Sequence, residues 1–208
     1  EEHIAEGLTP FPGQRLHLAV NATGAMTAAV LVQHHDGTLR ILADWVMEGA
    51  PGERVSDIAD AANLAVSAAR WRPARDQSWK AMIDTAAPDR LILRQEPPRW
   101  VVPPRHSDRY NNVGLMQAIR HLPAELAAGG EEHKGAMVIR DALARTVRSL
   151  PAVEISPNAR WTLRAMAGGY TRAMVRGRLQ EYAEEGPYRV LMEGLESFCA
   201  LASARARV

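Results

Sequence analysis

The sequence contains little cysteine, few aromatic residues and no long apolar run. Cys199 is the only cysteine among the 208 residues, so no disulfide can form within one chain. It lies in the apolar run LESFCALA, where a buried and inert thiol is expected. The apolar runs are too short to span a membrane, and the acidic start at Glu1 and Glu2 does not resemble a signal peptide. We therefore expect a cytoplasmic protein.

The sequence also lacks a strong charge and the motifs of several enzyme classes. The formal net charge is +1, so a basic surface must come from local clustering. No histidine or cysteine spacing is typical of zinc, and no serine lies on a sharp glycine-flanked turn. The phosphate-binding pattern G-x-x-x-x-G-K-S/T is missing. These absences argue against structural zinc, serine hydrolase chemistry and a nucleotide motor within these residues.

The length and composition favour one domain with a sizeable core. The chain has 208 residues and is 47% hydrophobic, for which one domain is the simplest arrangement. Residues 1–14 end in a proline and glycine cluster and are predicted to be a lead-in, whereas residues 15–208 form the domain. Because the chain begins with Glu rather than Met, we expect a fragment of a longer protein.

The stretch RLHLAVNATGAMTAAVLVQ organises the rest of the chain. It predicts apolar strands at residues 16–20 and 27–32, joined by a turn of small residues. A strand that is apolar on both faces belongs in the middle of a sheet. Asn21 follows the first strand, where α/β folds usually place their chemistry, although asparagine is also favoured in ordinary turns.

The next segments predict a third strand, a helix and a fourth strand. The Asp36-Gly37 pair is a hairpin signal before a strand at residues 39–46. An alanine-rich helix is expected from Ser56 onward, followed by a strand at residues 79–83. This β-β-β-α-β order is that of a ribonuclease-H-like fold.

The remainder predicts further helices and short strands. Short strands are expected at residues 100–102 and 152–155. Helical patterns occupy residues 112–122, 138–150, 157–166 and 187–204. The expected fold class is therefore α/β, with a ribonuclease-H-like mixed sheet flanked by helices.

In such a fold the first and fourth strands lie side by side, and a late helix approaches their ends. The polar residues at these places are Asn21, Asp84 and one of Glu193 or Glu196. Mg²⁺ and Mn²⁺ require oxygen ligands, and two ions about 4 Å apart need several carboxylates to offset their charge. Asp84 and Glu193 satisfy this requirement, and Asn21 does so only in part.

These residues resemble the nuclease domain of large terminase subunits, the DNA-packaging proteins of tailed phages. That family's first strand typically ends in an Asp within a short glycine-containing turn. LHLAVNATGAMTAAVLVQHHDGTLRILADWV is similar, with Asn21 at the Asp position. AMIDTAAP resembles the end of the family's fourth strand and places Asp84 in the second acidic role. AGGYTRAM and GPYRVLMEGLESF resemble the late segment and place Glu193 in the third role.

The sequence departs from the family pattern at three places. Asn21 replaces the first acid, and Glu193 replaces the usual Asp. Arg189 and Val190 stand where a Ser-His pair often precedes the third acid. An amide brings no charge, and a lost unit interaction at about 4 Å is worth on the order of 4 kcal/mol at an effective dielectric near 20. We therefore expect weak metal binding and little or no cleavage. An engineered Asp→Asn change and a natural loss of activity both explain Asn21.

The resemblance implies a function, cofactors and partners. The function is that of an endonuclease that cleaves double-stranded DNA with two Mg²⁺ or Mn²⁺ ions held by Asp84, Glu193 and Asn21. An ATPase motor is expected before Glu1, and a portal protein or small terminase subunit is a further partner, in the host cytoplasm of a phage or prophage. The alternative is a catalytically silent domain of the same fold that binds DNA or a packaging partner.

Several other acidic residues are secondary candidates with ordinary structural alternatives. Glu196, about one helical turn after Glu193, competes for the third acidic role. Asp57 opens the predicted helix, where a carboxylate complements the helix dipole. Asp44 lies in the third strand, and Asp84 also suits a helix cap.

Basic residues with interleaved aromatic residues are candidates for phosphate contacts. Cleavage of DNA of any sequence calls for phosphate contacts rather than base readout. The candidate DNA-binding residues are Arg72, Arg75, Lys80, Arg105, Arg109 and Arg172. Surface solvation is an equally good explanation for any one of them. Arg172 lies with Arg176 and Arg178 in an expected loop before the last helix.

Overall fold

We describe the chain from a computed structural model, which covers residues 2–11, 14–23, 25–49, 51–71, 98–102, 120, 124–126, 132–176 and 178–205. The strands are β1 (His17–Ala22), β2 (Met26–His35), β3 (Thr38–Glu48), β4 (Arg99–Val102), β5 (Ala124–Leu126), β6 (Thr146–Val147), β7 (Leu150–Pro151), β8 (Val153–Ile155), β9 (Arg172–Val175) and β10 (Arg178–Ala183). The helices are α1 (Pro51–Trp71), α2 (Glu132–Leu143), α3 (Arg160–Arg164) and α4 (Pro187–Arg205), with a π-helical turn at Ala165–Gly169 after α3.

A six-stranded mixed sheet forms the centre of the fold. Its strand order is β5-β4-β1-β2-β3-β8. The first three strands form an antiparallel meander, whereas β4 runs parallel to β1 and β8 runs parallel to β3. The predicted mixed α/β architecture is therefore confirmed.

The two inner strands of the meander, β1 and β2, are apolar on both faces. Ala19 and Val30 pack in the layer that contains α4, whereas Leu18 and Val20 pack in the layer that contains α1. The predicted hairpin between β2 and β3 is confirmed, since Asp36 and Gly37 have φ values of 48° and 78°. A two-residue turn with positive φ at both positions matches the twist of paired strands.

A parallel strand, β4, lies beside β1. Residues 17–19 pair in parallel with residues 99–101. The strand predicted at residues 79–83 lies outside the described ranges. The burial of Trp100 and Val101 is what suits β4 to this inner position.

Two helix predictions need correction in their bounds. The first helix begins at Pro51, before the predicted start at Ser56, because proline at the first helical position costs no hydrogen bond. The helix predicted at residues 138–150 ends at Leu143, and the hairpin of β6 and β7 follows. Of the helix predicted at residues 112–122, only residue 120 is described, and it lies in a turn. The last helix, α4, confirms the prediction.

The loop expected before the last helix is a β-hairpin. Strands β9 and β10 pair in antiparallel fashion across a turn in which Arg176 has a φ of 50°. The backbone of Arg172 lies in β9 and that of Arg178 in β10. Each strand begins with an arginine, and neither RAMV nor RLQEYA alternates polar and apolar residues. This is why the sequence pattern did not indicate them.

The lead-in packs on the domain at two places. The Ala5 N–H donates to the Ile155 carbonyl oxygen at 3.0 Å, and the Ile155 N–H donates to the His3 carbonyl oxygen at 2.7 Å. The buried Gln33 side chain on β2 accepts a hydrogen bond from the Phe11 N–H at 2.6 Å. Backbone pairing and one buried amide therefore attach the lead-in to the sheet. None of the helices in the described ranges is long and apolar enough to cross a bilayer.

Candidate functional site

Asn21 and Glu193 meet where the carboxyl end of β1 packs against α4. Asn21 is only 2% exposed and lies within β1, not after it, because the strand continues to Ala22. The Asn21 Nδ2 donates to Glu193 Oε2 at 3.3 Å. The Asn21 Oδ1 accepts from the Ala22 N–H at 3.0 Å. The structure thus brings together two of the three residues predicted to form the site.

A glycine in α4 permits the close approach of the helix to β1. A Cβ built at Gly194 would lie 3.5 Å from the Asn21 Cβ and 3.5 Å from the Val20 carbonyl carbon. Such distances leave room for a methyl group but not for a larger side chain. Leu191 and Leu195 flank this position and are buried in the core. The apolar face of α4 therefore sets the distance between Asn21 and Glu193.

Glu193 forms a second contact within its own helix. Arg189 Nε lies 2.8 Å from Glu193 Oε1, and the two side chains are 9% and 18% exposed. A guanidinium that donates to a carboxylate forms one of the stronger hydrogen bonds in proteins. Each oxygen of the Glu193 carboxylate therefore has a donor, Asn21 on one side and Arg189 on the other.

Glu196, the competing acid, interacts with a different group. It is 7% exposed and lies near Tyr170, whose pKa it helps to raise. Burial, together with the carboxylates of Glu196 and Glu193, raises the pKa of Tyr170 far above its ordinary value. Tyr170 thus stays protonated and remains a donor. Of the two acids, Glu193 is the one in contact with Asn21.

The Gly-Gly-Tyr segment brings Tyr170 to this place. Gly168 has a φ of 119°, which favours glycine. A Cβ at Gly169 would lie 2.8 Å from the Tyr188 ring and 2.9 Å from the Arg164 carbonyl oxygen. No side chain can occupy position 169 without a shift of the backbone or ring. The two glycines therefore shape the π-helical turn that precedes Tyr170.

Large terminases have this arrangement of sheet and helices. The large terminase of the thermophilic bacteriophage D6E, solved in complex with ADP, matches 95% of the chain at 10% identity with a TM-score of 0.55. The large terminase nuclease domain of bacteriophage SPP1, solved with bound Mn, matches 94% of the chain and 93% of its own length. Its identity is 14% and its TM-score is 0.50. The chain has the fold of a large terminase nuclease domain.

This structural similarity confirms the predicted fold class. It also confirms the family resemblance as far as the fold is concerned. The chain spans 42% of the length of the D6E terminase. Neither a protein-family model nor a curated protein matches the sequence.

Two residues beside Glu193 were not assigned to the site from the sequence. The spacing of Arg189 and Glu193, four positions apart on a helix, was a signal for their contact. Tyr170 belongs to the Gly-Gly-Tyr segment that carries the resemblance, but no pattern indicated its electrostatic interaction with Glu196. Helical spacing says that two side chains share a face, whereas their burial depends on what packs there.

The described residues of this terminase nuclease fold supply only part of the predicted divalent-ion site. Within them, no group of three or more His, Cys, Asp or Glu side chains is placed to hold a metal. The Asn21 oxygen faces the Ala22 N–H, and donors face both oxygens of Glu193. An ion at this place would therefore share these oxygens with hydrogen-bond donors that are already present.

Asp44 caps a helix. Its two carboxylate oxygens accept hydrogen bonds from the backbone N–H groups of Trp161 and Thr162 at the start of α3. Burial raises the pKa of Asp44, and the hydrogen bonds from α3 oppose that shift only in part. The structure therefore places this secondary candidate in a capping role.

Asp57 lies on the other face of the sheet from α4. It forms an exposed pair with Arg54 at 3.1 Å on α1, and α1 packs in the layer that does not contain α4. The structure does not bring it to Asn21. Several other candidates lie outside the described ranges, namely Asp84, Arg72, Arg75, Lys80, Arg105 and Arg109.

Asp44→Ala is expected to lower stability without affecting DNA retention. The change leaves two backbone N–H groups at the start of α3 without their acceptor, which costs about 1–3 kcal/mol. For a domain of this size we expect the melting temperature to fall by about 2–12 °C. Thermal unfolding and DNA retention, measured on the same preparation, check this result. A loss of DNA retention at unchanged stability would assign Asp44 to the site instead.

The Cys199 thiol is expected to be inert in the folded protein. Its side chain is buried in α4, and burial raises the pKa of the thiol well above its ordinary value. Because the thiolate is the reactive form, Ellman's reagent should detect almost no thiol in native protein. The same reagent should detect one thiol after denaturation. Rapid reaction in the native state would show that α4 opens readily.

Proposed function

We propose that this chain is the nuclease domain of a viral DNA-packaging terminase and acts on double-stranded DNA. We further propose that Asn21 strongly weakens its metal-dependent cleavage. The contact between Asn21 and Glu193 carries the proposal. These residues are 172 positions apart in the chain, and they meet at the end of a central strand in a fold shared with the Mn-bound SPP1 nuclease domain. The whole protein would include an ATPase motor before Glu1, with a portal protein or small terminase subunit as further partners.

The proposed metal ligands explain why cleavage would be weak. We assign Asp84 and Glu193 as the acidic ligands for two Mg²⁺ or Mn²⁺ ions, with Asn21 in the third position. Two divalent ions need several carboxylates to offset their charge. An amide oxygen brings none, and in this structure that oxygen faces the Ala22 N–H. Weak ion binding and slow cleavage are the expected result.

The proposed DNA contacts are electrostatic and independent of base sequence. We assign them to Arg72, Arg75, Lys80, Arg105, Arg109 and Arg172. Phosphate contacts by arginine and lysine release counterions, so the affinity should fall steeply as salt is raised. Base sequence should have little influence on binding.

A second candidate function is a catalytically silent domain that binds DNA or a packaging partner. The observation that favours it is the Arg189–Glu193 pair. In this pair, Arg189 gives the proposed acidic ligand Glu193 a positively charged partner that belongs to the chain itself. Both candidates predict DNA binding, and they differ in whether cleavage occurs.

DNA retention and plasmid cleavage separate the two candidates. Retention of unrelated linear DNA on a filter, measured over a salt series, tests binding. We expect retention at low salt and a steep loss on raising salt, with a shallower slope for Arg105→Gln combined with Arg109→Gln. Nicking of supercoiled plasmid with Mn²⁺ tests cleavage, with Glu193→Gln as the control.

Together, the two assays separate three cases: a nuclease, a silent DNA-binding domain and a chain with neither function. Slow nicking that Glu193→Gln abolishes supports the nuclease, and retention without nicking supports the silent domain. Nicking that survives Glu193→Gln would point to a contaminating nuclease. The absence of both retention and nicking at low salt would contradict both functions.

A further inference from the structure

We infer that the Arg189 guanidinium provides, from within the chain, the positive charge that a divalent ion would otherwise provide to Glu193. This inference rests on the proposed function, which assigns Glu193 to the site. Arg189 then acts as a positioning residue that keeps Glu193 in place when no metal is bound. It also competes with a metal for the same carboxylate.

The geometry of the pair supports this role. Arg189 Nε lies 2.8 Å from Glu193 Oε1, with only 9% of the arginine side chain and 18% of the glutamate side chain exposed. Both residues lie on one face of α4, so the helix itself fixes their separation. Partial burial strengthens the attraction between opposite charges, because less water screens it. The pair is thus more than a surface contact.

Asn21 complements Arg189 in the same site. Its Nδ2 donates to the other oxygen of Glu193, and its own oxygen faces the Ala22 N–H. Position 21 therefore offers Glu193 a hydrogen-bond donor instead of a second carboxylate. One negative charge on Glu193 and one positive charge on Arg189 leave these three side chains neutral without an ion. An acid at position 21 would add a negative charge and create a need for a cation.

The chain offers a matched control pair. Arg40 Nε lies 2.7 Å from Glu154 Oε2, and these side chains are 19% and 14% exposed. The pair joins β3 to β8. Its distance and burial are close to those of Arg189 and Glu193, but Asn21 is not among its partners. Loss of Arg40 should therefore destabilise the fold in a similar way without creating a metal site.

Metal rescue of stability tests the inference without DNA. Melting temperatures are measured with and without Mn²⁺ for the unsubstituted chain, Arg189→Gln and Arg40→Gln. We expect both variants to melt at lower temperature than the unsubstituted chain. Mn²⁺ should restore part of the loss in Arg189→Gln, none in Arg40→Gln, and should have almost no effect on the unsubstituted chain. Equal rescue of both variants, or of neither, would overturn the inference.

Direct Mn²⁺ binding provides the second measurement. The electron paramagnetic resonance signal of free Mn²⁺ reports the bound fraction for Asn21→Asp alone and for Asn21→Asp combined with Arg189→Gln. We expect the double variant to bind Mn²⁺ at least about tenfold more tightly, because a competing cation has been removed. Addition of Arg40→Gln to Asn21→Asp should leave the affinity unchanged. Weaker binding in the double variant would mean that Arg189 supports the metal site.

A charge-conserving variant keeps the test decisive if Arg189→Gln does not fold. Arg189→Lys retains the positive charge, so we expect its melting temperature to be close to that of the unsubstituted chain. We also expect Mn²⁺ to leave that temperature unchanged. Rescue of Arg189→Lys by Mn²⁺ would contradict the inference. Failure of the proposed function gives a separate result, namely no DNA retention or cleavage in any variant, even where the metal measurements come out as expected.

Discussion

Asn21→Asp is expected to raise Mn²⁺-dependent plasmid cleavage by about 10²- to 10³-fold. A unit charge interaction at about 4 Å is worth on the order of 4 kcal/mol at an effective dielectric near 20. Each 1.4 kcal/mol is about a tenfold change in an equilibrium constant. The retained Arg189 charge opposes ion binding. The lower end of the expected range is therefore smaller than the gain that the full Coulomb energy would give. Initial nicking rates over a Mn²⁺ titration measure the effect.

Two controls separate the effect of the new charge from loss of the amide. Asn21→Ala removes the amide without adding charge and should give no gain. Glu193→Gln in the Asn21→Asp background should abolish the gain, since Glu193 is the acid that contacts position 21. A comparable gain in Asn21→Ala would show that the amide blocks the site sterically and that charge is not the cause.

Leu195→Ala is expected to destabilise the domain by about 2–5 kcal/mol. Leu195 is 0% exposed and packs in the layer that joins α4 to the sheet. Removal of a buried leucine side chain loses its transfer free energy and leaves a cavity. For a domain of this size the melting temperature should fall by about 4–20 °C. Thermal and urea unfolding measure the loss.

The matched control is Leu64→Ala on α1. Leu64 is 72% exposed, so the same truncation should change stability by less than about 0.5 kcal/mol. If Leu195→Ala were as mild as Leu64→Ala, α4 would not be docked on the sheet through this side chain. The contact between Asn21 and Glu193 would then lack the support that the structure assigns to it.

Local patterns were sufficient for the meander and for the last helix. Strands β1 and β2 are apolar on both faces, and Asp36-Gly37 is a turn signal that acts through backbone conformation alone. The 187–205 helix is long and has a continuous apolar face. The meeting of Asn21 and Glu193 was predicted from the order of elements and the family resemblance. At these places the local sequence pattern and the tertiary packing favour the same conformation.

Other features depend on tertiary contacts that no local pattern reveals. Arg148 and Ser149 adopt positive φ without being glycine, so the turn between β6 and β7 carries no glycine signal. The parallel pairing of β4 with β1 depends on tertiary packing, since Trp100 is buried in the layer that contains α1. The role of Asp44 as a cap depends on where α3 docks.

The hydrogen bonds between residues 3–5 and Ile155 have a consequence for handling the protein. These residues cover the outer edge of β8, where unpaired backbone groups would otherwise be exposed. An open strand edge is a template for pairing with another chain. A truncated form that begins after residue 5 would expose this edge and favour aggregation, even though its site residues are intact. Any shortened form intended for crystallisation should therefore retain His3.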